Sequence, residues 1–445
     1  MSAKGYGPSI LAAALIVGLV VGAIGGYLLK PTEVAPGVTV TKTATQTAIQ
    51  TGTQTVTQRA TQTVTQAVTK TVGVERKIKA AWIYVGPIGD YGWSHAHNQG
   101  RLRAGAEFPW LDAEHYAEAV PEADVERYID RFIVDEGCDV VFTTSFGFMD
   151  GTLAAANKYP DKILFHCSGY KRAPNMGTYF AEFHQLYYLN GLMAGALTET
   201  GKTGYVAAFL IPEVTRHINA FALGVTEVNP TATIDVRVIS AWYDPTKARL
   251  AAEDLVATGV DALAFTEDSP TVVEVGQSYA EKYAAGTYPH PVYTFSHYSP
   301  MQKFGEDSVV SGQLVDWGIL YEDILMKIYT GVYTNTNLEN VDYWWMLHEK
   351  AAELGGEFGV PINPKFIPAL KAKMVKDKMT GETISAYDLV MRRLQQMSEE
   401  TVLFDPFTGP IYDNEGKLRI AAGVRGSHDE LWTMDWFVAG VRAPA

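Results

Sequence analysis

The chain has 445 residues, 47% of them apolar, and carries 36 Lys and Arg against 50 Asp and Glu for a net charge of −14. That balance excludes the basic face with which nucleic-acid binders meet phosphates, and two cysteines exclude both a disulfide scaffold and a four-cysteine zinc site. A mean hydropathy of −0.03 excludes a polytopic membrane protein but leaves room for a single anchor.

The first element is such an anchor. Residues 10–29 read ILAAALIVGLVVGAIGGYLL, with Lys4 before and Lys30 after. An apolar run of about twenty residues spans a hydrocarbon core of roughly 30 Å, whereas a cleaved signal has an apolar core of only about 7–15 residues. The run therefore reads as an uncleaved membrane helix, with a signal segment as the alternative. No cysteine follows it closely, which closes the lipoprotein route. Residues 31–75 then alternate Thr and Gln with Val and Ala, without turn chemistry or a bulky apolar face, and read as a solvated stalk suited to O-glycosylation. Anchor and stalk together place the remaining 76–445 outside the cell, on the plasma membrane.

From Arg76 short apolar runs alternate with amphipathic stretches. The runs at 77–86, 139–146, 162–169, 177–183, 204–210, 234–242, 261–268, 292–297 and 309–315 read as strands. The stretches at 123–137, 215–228 and 245–259 read as helices. Near-continuous apolar strands alternating with helices mean parallel sheets covered on both faces, hence an α/β fold. Two doubly wound lobes are expected, with a (β/α)₈ barrel as the alternative. The 343–347 stretch YWWML is expected to pack an extra layer on the second lobe.

Doubly wound lobes bind ligands at the carboxyl ends of their strands. Aromatic and acidic residues recur there: Asp90 and Trp93 after the first strand, Phe146 and Phe148 after the next, then Glu213, Trp242, and Asp268 with Ser269. This is the composition of a cleft that stacks a flat ring and hydrogen-bonds its edges. Asn219 has related chemistry. Each has a plainer reading. Trp93 could simply pack a helix, Asp90 and Asp268 could cap helices, and Glu213 could start one. Asp244, before Pro245, reads as a helix cap. His95 and His97 stand two apart, which turns them to different helix faces, so neither metal nor cofactor is expected. His166 and Cys167 face opposite sides of a strand, against a catalytic pair.

The motifs GPIGDYGWSHAHNQGR (86–101), FTTSFGFMD (142–150), GYKRAPNMGTY (169–179), IPEVTRHINAFALG (211–224), SAWYDP (240–245) and TEDSP (266–270), with FDPFTGPIYDNEGKLRI (404–420) and MDWFVAGV (434–441), resemble the basic membrane protein family of ABC-transporter substrate-binding proteins. The resemblance runs from about residue 77 to 441. It implies a type I periplasmic-binding-protein fold, with two Rossmann-like lobes and three hinge crossings, expected near 180, 295 and 314. Lobe 1 is expected at about 76–180 and 297–312, and lobe 2 at about 184–293 and 317–445. In the purine nucleoside receptors of the family two aromatic side chains hold the base; the matching positions are Trp93 and Trp242. An acid that engages ribose falls on Asp268, and Phe146 to Phe148 would form the first-lobe wall. A lysine of that branch is missing; Asp316 stands in its place, within Leu314-Val315-Asp316-Trp317, which makes a free base as well as a nucleoside a candidate guest.

The expected function is that of an extracellular, monomeric receptor. It captures a purine nucleoside or base by lobe closure and hands it to an ABC permease driven by an ATPase subunit. An enzyme is the rival reading. GPIGDYG is not the GxGxxG of dinucleotide folds, and only Asp90 stands where a nucleoside hydrolase would cluster aspartates around a metal. A signalling receptor using the same cleft is a further alternative.

Overall fold

A computed structural model describes residues 76–399 and 401–444. The expected anchor and stalk lie outside the described residues. No helix among those described is long and apolar enough to cross a membrane.

The first lobe begins with the strands β1 (Ile78–Ile83), β2 (Leu111–Ala117), β3 (Val140–Thr143), β4 (Ile163–Cys167) and β5 (Met176–Ala181). The second is built on β6 (Lys202–Ala207), β7 (Thr233–Val238), β8 (Ala262–Thr266), β9 (Tyr293–Tyr298) and β10 (Val309–Val315). Two later strands, β11 (Asp342–Trp345) and β12 (Ala352–Leu354), extend the first and second sheets respectively. The strand orders are β11-β5-β4-β3-β1-β2 and β12-β10-β9-β8-β6-β7, the latter edged by Val441–Arg442. Two open sheets exclude the barrel. Within the first five strands of each lobe the pairing is parallel throughout. Within these two sheets only β12 runs antiparallel, against β10.

Alternation along each strand builds two layers. In β1, Ala80 and Trp82 join the large core cluster on one face of the first sheet, while Ala81 and Ile83 join Val141, Leu164 and Phe148 on the other. Helix α1 (Trp93–Glu107) covers the first of these faces; α2 (Val125–Asp130) and α3 (Met149–Lys158) cover the second. In the second lobe α4 (His184–Leu197) and α5 (Pro212–Val228) share one face, and α6 (Pro245–Ala257) and α7 (Thr271–Ala284) the other. A Cβ on Gly191 or Gly224 would lie 2.1 Å from a carbonyl oxygen of the facing helix, so these glycines set the close α4–α5 crossing. Asp244 caps α6, accepting from the Lys247 N–H at 3.0 Å.

Several expectations are corrected. β2 escapes the apolar-run reading because it is a sheet edge whose residues alternate between buried and exposed. Strand β11 pairs in parallel with β5, so the Trp-rich stretch widens the first sheet and does not layer on the second lobe. Helix α8 (Trp317–Tyr329) also belongs to the first lobe: its Trp317 packs edge-on to Trp93, and its Tyr321 edge-on to Trp82. Strands β9 and β10 both lie in the second sheet, so the chain does not cross near 295. The three crossings are at 182–183, at Asp316 and at 346–351. The two cysteines are free thiols buried in different layers, Cys138 on one face of the first sheet and Cys167 on the other.

Candidate functional site

Both sheets have the order 2-1-3-4-5, which reverses beside their first strand and opens a crevice at the carboxyl ends there. A narrow cavity of about 10 Å³, roughly the room of one water, sits where the crevices of the two lobes meet. The first lobe supplies Val85, Trp93, Ser145, Phe146 and Ser168, all from strand exits. The second supplies Glu213, Trp242, Asp268 and Tyr298, again from strand ends.

Trp93 is the first residue of α1 and is 6% exposed. Its indole N–H donates to the Thr144 carbonyl, and it packs edge-on against Tyr298 and Trp317, with centroids 5.0 and 5.1 Å away. Trp242 is half-buried and edge-on to Phe209 at 5.1 Å. The two tryptophans thus line one cavity from opposite lobes. Gly92, just before α1, touches the second lobe: a Cβ there would come within 2.6 Å of Asp268 Cα, so only glycine permits this approach.

Asp90 does not reach the cavity. Its Oδ1 accepts from the Gly92 and His95 N–H groups at 2.8 and 2.9 Å, and its Oδ2 from that of Ser94 at 3.2 Å. It closes the start of α1, which is the plainer of its two readings. Burial pushes its pKa up to about 7 against these hydrogen bonds. His95 and His97 do not line the cavity either. His95 meets the Ile88 carbonyl at 3.0 Å, while His97 meets the Tyr321 hydroxyl at 2.7 Å and stacks on Trp317. Among the described residues no cluster of side chains could hold a metal ion.

Four further candidates sit elsewhere. Phe148 is fully buried under α3 with Val125 and Ile129, so only Phe146 forms the wall. Ser269 hydrogen-bonds Glu267 at 3.0 Å and receives the Thr271 N–H at the start of α7. Asn219 ties α5 to the C-terminal segment, donating to the Trp436 carbonyl at 2.7 Å and accepting from the Val438 N–H at 2.9 Å. Asp316 caps α8 through the Gly318 N–H at 3.0 Å and pairs with Arg103. For the three polar residues a nearby backbone or charged group satisfies the side chain before a guest could.

Glu213 and Asp268 carry the electrostatics. Asp268 is 2% exposed and its Oδ2 has no partner. Burial, then the neighbouring Asp90 and Glu267 carboxylates, raise its pKa well above the usual range, while the Trp93 backbone N–H favours its charge. Burial also pushes Glu213 up to about 7, against hydrogen bonding by Ser168 and the charge of Arg216. Neither Lys nor Arg lines the cavity. Ser145, Ser168 and Tyr298 were missed as site residues. Their only signal is position at or just after the end of a strand, and Ser168 and Tyr298 hold that position with φ of 66° and 62°.

A buried charge network flanks the first crossing. Glu182 accepts from Arg216 at 2.6 Å and lies 2.9 Å from His184 Nδ1. His184 Nε2 lies 3.1 Å from Asp405, which also pairs with Arg425 at 2.8 Å. The C-terminal segment is thereby bonded to the hinge.

The family profile described as ABC transporter substrate-binding protein, PnrA-like, matches residues 77–372. A Haloferax volcanii protein named for glucose binding in an ABC transporter is 37% identical over 304 residues, 68% of this chain and 71% of that protein. A Brucella abortus protein named as purine-binding is 31% identical over 371 residues, 82% of this chain and 93% of that one. Among solved structures, an ABC transporter solute-binding protein from Aeropyrum pernix superposes with a TM-score of 0.58 at 16% identity, covering 72% of this chain and 91% of that one. One from Conexibacter woesei gives 0.52 at 19% identity, covering 74% and 100%. The solved structures support the fold alone.

Proposed function

The chain belongs to the PnrA-like family of ABC transporter substrate-binding proteins, which bind a ligand and work with a permease and an ATPase, and we propose that its ligand is a purine base or nucleoside. The observation that carries this reading is the pair of indoles, Trp93 and Trp242, facing one cavity from opposite lobes. A planar heteroaromatic ring between them gains roughly 1–3 kcal/mol per stacking face, by analogy with bases stacked on aromatic side chains. The relative named as purine-binding supports the same reading.

Closure acts about the crossings at 182–183, Asp316 and 346–351. A guest that contacts both lobes favours the closed state by its difference in affinity for closed over open. The permease reads that closed form. In this reading residues 10–29 anchor the receptor, and the stalk lets it range outside the cell while staying near its permease.

A sugar is the second reading. It is favoured by the relative named for glucose binding, and by lining carboxylates that would accept from hydroxyls as readily as from ring N–H groups. A thermal-shift panel of purines, nucleosides and hexoses separates the two. A ligand at a hundred times its Kd adds about 2.7 kcal/mol of stability. Purines are expected to raise the melting temperature and hexoses to leave it unchanged; the reverse pattern replaces the purine reading by the sugar one.

A further inference from the structure

Three consecutive residues of the first lobe meet the second lobe, and only the last of them lines the cavity. Trp93 packs on Tyr298. Gly92 approaches Asp268, and its carbonyl accepts from the Ser299 hydroxyl at 3.4 Å. Tyr91 stands outside the cavity. Its ring meets Phe304 edge-on with centroids 5.1 Å apart, and the Lys303 ammonium lies 4.2 Å from its centroid. Lys303 and Phe304 belong to the second lobe, in the link between β9 and β10. The Tyr91 ring also stacks on His95 at 5.0 Å, and His95 is held by the Ile88 carbonyl at 3.0 Å. Tyr91 has φ of 61°, a left-handed conformation that a bulky residue keeps only where its surroundings hold it.

We propose that Tyr91 is a positioning residue for lobe closure, a latch outside the cavity whose ring engages Lys303 and Phe304 only when the lobes are together. It raises affinity for a guest that it does not touch. The inference rests on closure of the two lobes and not on which guest they enclose. A contact made only in the closed state multiplies the ratio of closed to open, and the apparent affinity follows the closed fraction. An aromatic pair and an exposed cation–π contact together shift a two-state ratio by about five- to seventyfold. The latch must part before a guest leaves, so its loss falls on the dissociation rate.

The test is hydrogen exchange of the purified full chain without a guest, each variant being read in the lobe opposite its substitution. Tyr91→Asn removes the ring and keeps a residue that tolerates positive φ. It is expected to speed exchange about tenfold in the second-lobe segments 211–216 and 266–270, at the cleft, and to leave the amides of β6 and β8 unchanged. Lys303→Met keeps the apolar stem and is expected to speed exchange about threefold at 91–94 in the first lobe. Tyr91→Phe keeps the ring and is expected to match the unmodified chain. Adenosine then serves as the guest: its dissociation is expected to quicken by the same factors, with association unchanged. In Tyr91→Asn, exchange raised alike throughout both sheets overturns the latch, as does no change in either cross-lobe exchange or adenosine dissociation. Adenosine that fails to bind overturns the purine reading alone, and exchange then decides the latch. Should Tyr91→Asn fail to fold, Lys303→Met decides, because Lys303 is exposed.

Discussion

Ser168, at the exit of β4 in the first lobe, donates its hydroxyl to the carboxylate of Glu213, in the first turn of α5 in the second lobe. The bond spans the cleft between two residues that line the same cavity, so it forms only when the lobes are together. Ser168 has φ of 66°, a conformation that glycine adopts more easily than serine. Ser168→Gly therefore removes the bond without straining the backbone. A hydrogen bond to a charged group is worth about 1.5–3 kcal/mol, and ligand affinity is expected to fall roughly tenfold with little change in melting temperature. Titration calorimetry on both proteins checks this; unchanged affinity would show that the bond does not help hold the closed state.

The two tryptophans are not equivalent as test sites. Trp93 is anchored in a cluster with His97, Tyr298 and Trp317, and its truncation is expected to destabilise the fold by about 3–5 kcal/mol along with any loss of binding. Trp242 is half-buried and packs on Phe209, so Trp242→Ala is the cleaner probe. Its affinity for a purine is expected to fall about 10–100-fold, with most of the stability retained. Full affinity in Trp242→Ala would remove the second-lobe stacking face.

Burial pushes Glu213 up to about 7, above the ordinary carboxyl value of 4.5. The folded state therefore holds a proton that the unfolded chain releases. The associated stability is fully present below about pH 4.5 and is lost as pH rises through about 7. Glu213→Gln removes this titration. The variant is expected to gain on the unmodified chain by about 1–3 kcal/mol between pH 5 and pH 8, as read by denaturant unfolding. Asp90 titrates in the same range but is common to both proteins and drops out of the difference. Parallel pH curves would contradict the assignment.

At the hinge, burial opposes charge on both His184 and Asp405, but their pairing prevails. Asp405 and Glu182 raise His184 to about 9, while His184 and Arg425 hold Asp405 down to about 2. The stability tied to His184 is complete below its ordinary 6.5 and fades as pH rises through about 9; that of Asp405 is complete above 3.8 and fades as pH falls through about 2. Breaking such a buried pair costs about 3–5 kcal/mol, so Asp405→Asn is expected to lower stability by that order at pH 7. The deficit should shrink above pH 9. A constant deficit from pH 7 to 10 would show that the His184 charge is not involved.

Much of this architecture is legible in the sequence, because buried parallel strands are short apolar runs and their exits carry the function. What the runs conceal is which sheet a late strand joins. Tyr343-Trp344-Trp345 is apolar in either lobe, and only its pairing with Tyr179-Phe180-Ala181 assigns it to the first. The same limit explains the misplaced crossing near 295: β9 resembles a strand leading to a hinge, but it pairs with β8 and β10.

The site was legible at the level of strand exits and less so at the level of side chains. Phe146 and Phe148 stand two apart in a single short turn, yet one reaches the cavity and the other is core. Asp90 and Asp316 are carboxylates like Asp268, and Asn219 is an amide of similar shape; they differ in having backbone N–H groups or other partners close by, which no spacing rule reveals. The serines that donate within the cavity carry no compositional signal.

The central claim is that a planar purine lies between the indoles of Trp93 and Trp242. A crystal structure of the chain grown with adenosine tests it most directly. The purine ring is expected to lie stacked between the two indoles. A ring bound elsewhere, or a cleft that takes up a hexose in its place, would contradict it.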